Sequence, residues 1–212
     1  MLRATILALT VLFVLPVLAP PGGPVPTLAA PALERFVIVP AESRVIYRVA
    51  ETLINEHNRF NIAVGVTPVV RGEIFLDRRN PQNSRVGTIT VDISQFKSDN
   101  ARRDRAIRER WLESARYPLA EFTPTAIRGL PATYAEGREI TLEIVGNLKI
   151  REAVKTTTFA TTLKLERNTL TGTALATILM TDFGFDPPAI FGILRAENEA
   201  RLELKFTARG AP

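Results

Sequence analysis

The chain has 212 residues, 46% of them hydrophobic and 23% charged, with 27 Lys+Arg against 22 Asp+Glu for a net charge of +5. It has no cysteine and one histidine, His57, which excludes disulfides, thiolate nucleophiles, zinc-thiolate and iron-sulfur sites and multi-histidine metal cages. The size suits a single core, and so mild a basicity is not the footprint of a nucleic-acid binder.

Met1-Leu2-Arg3, followed by the nearly unbroken apolar run from Ala4 to Ala19, has the form of a short basic region and the hydrophobic core of an export signal. The run falls below the ~20 apolar residues that span a bilayer and contains Pro16, so a signal segment is expected rather than a membrane span. Pro20, Pro21, Pro24, Pro26 and Pro31 then make an extended tether. Residues 1–32 are thus expected to be leader and tether, and residues 33–212 one exported domain. It would be periplasmic or extracellular, and an uncleaved leader would hold it at the membrane.

From there, period-2 alternation dominates, the pattern of strands with one buried face. Strands are expected at Phe36–Val39, Val45–Glu51, Ile62–Val70, Gly72–Asp77, Val86–Ile93 and around Ala120–Ile127. The clearest follow: Arg138–Ile150, with Leu142, Ile144, Gly146 and Leu148 on one face, then Thr157–Glu166, Leu170–Met180 and Arg201–Ala208. Gly172, Ala174 and Ala176 put small residues on one face and leave room inside. One helix is expected, Asp99 to Ala115, capped by Ser98 or Asp99, with Ile107, Trp111 and Ala115 at four-residue spacing and Tyr117-Pro118 beyond its end. Arg103 and Asp104 fall at the edge of its packing stripe and are candidates for a structural ion pair where helix meets sheet. The whole predicts a mainly β protein, an antiparallel sandwich or barrel with one helix packed against it.

No catalytic constellation is expected. His57 lies in the polar turn Asn55-Glu56-His57-Asn58-Arg59, a poor setting for a held general base, and nothing brings Asp182 and Asp186 together. No phosphate loop, nucleophile elbow or metal-ligand cluster is present in the sequence. The stronger signal is apolar. Phe183, Phe185, Ile190, Phe191 and Ile193 crowd into a segment interrupted by Gly184, Pro187, Pro188 and Gly192, which either plugs the fold or lines the mouth of a pocket.

Ser98-Asp99 through Arg103-Asp104, Trp111-Leu112, Tyr117-Pro118 and Phe122 resemble the YceI-like family of bacterial lipid-binding proteins. So do Arg71-Gly72-Glu73-Ile74 with Asp77, Val91-Asp92-Ile93, Val145 to Ile150, and Thr181-Asp182-Phe183-Gly184-Phe185, in order along the chain. The resemblance implies a lipocalin-like closed antiparallel barrel of about eight strands around an apolar cavity. It also implies an isoprenoid lipid, polyprenyl or isoprenoid quinone, as the bound ligand and partner, with no covalent cofactor, metal or nucleic acid, and with membrane-surface contact as a further expectation. Many members carry a histidine where Glu51 stands here. Cavity or mouth candidates are Phe60, Val64, Phe75, Ile107, Trp111, Phe122, Leu148, Phe159, Ile178, Phe183, Phe185 and Phe191. The competing expectation is a ligand-free structural or interaction module whose barrel is filled by its own side chains.

Overall fold

The computed structural model describes residues 33–211, so the expected leader and tether lie outside the described residues. Thirteen strands follow in order: β1 (Glu34–Ile38), β2 (Arg44–Leu53), β3 (Arg59–Thr67), β4 (Val70–Arg71), β5 (Glu73–Leu76), β6 (Arg85–Val86) and β7 (Ile89–Asp92). After the helical segment come β8 (Leu119–Arg128), β9 (Glu139–Ile150), β10 (Ala153–Glu166), β11 (Thr169–Leu179), β12 (Ala189–Ile190) and β13 (Leu194–Gly210).

The expected closed barrel of about eight strands is corrected. All thirteen strands form one curled antiparallel sheet, running β4-β7-β8-β9-β10-β11-β13-β1-β5-β6, with β2 and β3 branching from β13. Two features keep the ladder open. β13 is 17 residues long and serves two strands on one edge, β2 between Leu194 and Lys205 and β1 between Ala208 and Gly210. At the other end of the branch, β3 stops at Thr67 because Pro68 has no N–H to continue a ladder, and the chain resumes as β4 against β7. The far edge of β3 makes only the single bridge Val66–Lys97.

The alternation read from the sequence sets the inner face of β9, β10 and β11. Leu142, Leu148 and Ile150, then Thr161 and Leu165, then Leu170, Ala174 and Ile178 are buried on this face, and residues of the opposite parity point outward. Arg151 and Arg167, both at positive φ, turn the two tight hairpins between these strands. The expected strand at Arg201–Ala208 begins earlier, at Leu194, because a bulge between Ala196 and Ala200 hides its first half from any period-2 pattern.

The expected helix is shorter. It runs Ala101–Ala106, is capped by Asn100 rather than Ser98 or Asp99, and widens into a π turn over Ile107–Trp111, where the Leu112 N–H donates to the Ile107 carbonyl at 2.8 Å. Glu113 at φ 46° ends it, so Ala115 is exposed and belongs to no stripe.

Gly65 is demanded by a close approach. The Tyr47 ring lies over Gly65 on the neighbouring strand, where a Cβ would sit 2.1 Å from Cε1, and packs edge-on against Phe96 with ring centroids 5.1 Å apart. Gly65→Ala is therefore expected to push the ring off this seat at a cost of about 2 kcal/mol, read as a lower urea midpoint with unchanged slope. An unchanged midpoint would mean that the ring moves freely.

Candidate functional site

The inner face of the sheet encloses a cavity of about 690 Å3. It extends from Ile38 and Leu170 at one end to Glu51, Asn61 and Arg103 at the other, with Ile107 and Trp111 of the helical segment forming part of its wall. Of the twelve cavity or mouth candidates, Ile107, Trp111, Phe122, Leu148, Phe159, Ile178 and Phe185 line the cavity.

The other five do not, for identifiable reasons. Phe60 and Val64 lie on the outward face of β3, 67% and 36% exposed, because Asn61, Ala63 and Gly65 take the inward positions. Phe75 is outward on β5 with Arg85 stacked 4.1 Å from its ring, while its neighbour Ile74 faces the cavity. Phe183 is a buried plug of the core, 2% exposed, and Phe191 projects fully into solvent. The aromatic loop is thus plug, wall and exposed rim at once, with Phe185, Pro188, Ile190 and Ile193 contributing the wall.

The small-residue stripe on β11 is also corrected. Only Ala174 of the three lines the cavity; Gly172 makes room for the Phe206 ring, which a Cβ would meet at 2.8 Å.

The polar end of the cavity is built around Glu51, 4% exposed on β2. Its Oε1 accepts from Asn61 Nδ2 at 2.7 Å and from Arg103 Nη2 at 2.8 Å. Arg103 reaches Asp99 with its other terminal nitrogen. Burial works against the Arg103 charge, but Glu51 and Asp99 more than offset it, so the guanidinium is held more firmly protonated than usual. Arg103 and Asp104 are not paired with one another, since adjacent helical residues diverge around the axis. Asp104 instead accepts from the Ser98 backbone N–H at 2.9 Å and from its hydroxyl. Sequence reasoning placed Arg103 where helix meets sheet but missed Glu51, whose signal was a charged residue at the end of an otherwise apolar inward face.

Tyr47, two inward positions before Glu51 along β2 counting through Val49, also lines the cavity. Burial first, then the balance of nearby charges, pushes its phenol up to about 12, so it stays a neutral hydrogen-bond donor. His57 sits at φ 60° after a short turn, exposed and not itself part of the cavity wall. Asp182 and Asp186 are exposed as well. Among the described residues no group of three or more His, Cys, Asp or Glu could hold a metal ion.

The profile of the YceI-like domain matches residues 36–208. The chain belongs to the YceI-like family. Solved structures share the fold of this YceI-like protein. BcnA of Burkholderia cenocepacia is 17% identical with a TM-score of 0.61, over 80% of this chain and 98% of that one. A polyisoprenoid binding domain from Saccharophagus degradans, implicated in plant cell wall breakdown, is 10% identical with a TM-score of 0.61, over 84% and 99%. The YCEI protein of Campylobacter jejuni is 14% identical with a TM-score of 0.54, over 68% and 82%. No curated protein matches by sequence.

Proposed function

We propose that this YceI-like protein is an exported carrier of an isoprenoid lipid, a polyprenyl chain or an isoprenoid quinone, held inside the curled sheet. The observation that carries the reading is the cavity of about 690 Å3, of the size that takes a small-molecule ligand, walled by apolar side chains and polar at one end only. A side-chain-filled module would have no such space. The magnitudes agree: each five-carbon isoprene unit is worth roughly 4 kcal/mol gross on burial, and micromolar affinity needs about 8 kcal/mol after association costs. Two or three buried units suffice without any charged contact. The relative described as polyisoprenoid binding adds support, and binding rather than catalysis is what the cavity walls are suited to.

Delivery fits the rim. Ile54, Phe60, Phe191 and Ile193 are exposed around the polar end, tied together by the Ile54 N–H to Ile193 carbonyl bond at 2.8 Å and by the Thr52–Phe60 register. An apolar rim of this kind suits contact with a membrane surface. Organic extraction and mass spectrometry of protein purified from its own cells should yield an isoprenoid, and delipidated protein should take up a quinone or polyprenol. No lipid and no uptake would overturn the reading.

A further inference from the structure

The apolar wall is indifferent to what terminates an isoprenoid chain, but the polar end is not. Both hydrogen bonds to the Glu51 carboxylate fall on Oε1, so among the described residues Oε2 is left without a partner at the cavity wall. An ionised carboxylate offers about four lone-pair sites, and a buried one gains from each donor it meets. The charged residues lining the cavity are Glu51, Glu56, Asp99, Arg59, Arg102 and Arg103, three of each sign. Two of the three cations are already committed: Arg59 donates from Nε and Nη2 to Glu56, and Arg103 is divided between Glu51 and Asp99. Arg102, the third, is exposed at the rim. A phosphate arriving here could pair with Arg102 only at the rim; at the depth of Glu51 the one guanidinium, Arg103, is already divided between two carboxylates.

Building on the isoprenoid reading of the cavity, we propose that Glu51 makes the site selective for lipids with an uncharged, hydrogen-bond-donating head. A polyprenol or a quinol hydroxyl fits, and polyprenyl phosphates and diphosphates are excluded. The hydroxyl donates to Oε2 of Glu51, while Asn61 and Arg103, bonded to Oε1, hold the carboxylate in place. Ala196, the register partner of Glu51 on β13 and itself on the cavity wall, is a small side chain that leaves the head its space. Exclusion of the anion follows from position: the Arg103 charge is engaged on Oε1 and on Asp99, so a phosphate at Oε2 meets the like charge at closer range than the opposite one, at low dielectric.

The test uses delipidated protein, a polyprenol, its monophosphate and its methyl ether of equal chain length, with fluorescence of Trp111, the sole tryptophan and part of the cavity wall, as the readout. The wild-type protein should bind the polyprenol roughly a hundredfold more tightly than the monophosphate. It should bind the methyl ether, which cannot donate, about tenfold more weakly than the polyprenol. Glu51→Gln removes the charge and keeps the shape, and should bring polyprenol and monophosphate to within about tenfold of each other. Asn61→Lys adds a cation beside the same carboxylate and should narrow the ratio likewise, so the comparison stands even where Glu51→Gln does not fold. Equal binding of polyprenol and monophosphate by the wild type, or an unchanged ratio in both folded variants, overturns the proposal and leaves the isoprenoid reading intact. Binding of none of the three lipids overturns both.

Discussion

Arg103→Ala is expected to destabilise the protein by about 3 kcal/mol, a fall of roughly 10 °C in Tm. The reason lies in what the substitution leaves behind. Glu51 is 4% exposed and has two hydrogen-bond donors, Asn61 and Arg103, so the variant keeps a buried carboxylate with a single amide partner. Removing one member of a buried pair costs far more than the pair itself contributes, because the remaining charge has lost both its solvent and its counterion. The Arg35–Glu73 pair is the control. Its members are 45% and 40% exposed, and Arg35→Ala should leave the unfolding midpoint nearly unchanged. Replacing Glu51 and Arg103 together by Leu should recover most of the lost stability, since no unpaired charge then stays inside. Urea unfolding of the four proteins checks this. A cost for Arg103→Ala as small as that for Arg35→Ala would mean that water reaches Glu51.

That pair also marks the boundary of what the sequence discloses. β9, β10 and β11 were legible because their inward residues are the larger apolar ones and their hairpins are tight, so period and register agree. β3 misleads in the opposite sense. Its outward positions, Phe60, Ile62 and Val64, are more apolar than its inward positions, Asn61, Ala63 and Gly65. The inward choices are dictated by neighbours on β2, since Asn61 bonds Glu51 and Gly65 admits Tyr47. A strand read alone carries no trace of such constraints. Glu51 and Arg103 are 52 positions apart, and only the helix folding back over the sheet brings them together. The open ladder was hidden for a similar reason, because the division of β13 between β1 and β2 depends on a bulge and on registers that periodicity does not encode.

Ala174→Phe is expected to separate stability from binding. Ala174 is 6% exposed on β11, sits opposite Thr161 on one side and Leu204 on the other, and faces the cavity. In a close-packed core an added ring overfills its site and destabilises. Here it enters space already enclosed by apolar groups, so a gain of about 1 kcal/mol is expected instead, as for other cavity-filling changes. The same ring occupies the volume of roughly one isoprene unit, whose burial is worth about 4 kcal/mol gross, so affinity for a polyprenol should fall about a thousandfold. Opposite signs in the two measurements are informative because a merely damaged protein would lose both. Unfolding midpoints and Trp111 fluorescence titrations on the same preparation give the two numbers. Undiminished affinity would move the lipid out of this cavity, and lost stability would show that the wall at Ala174 has no room to give.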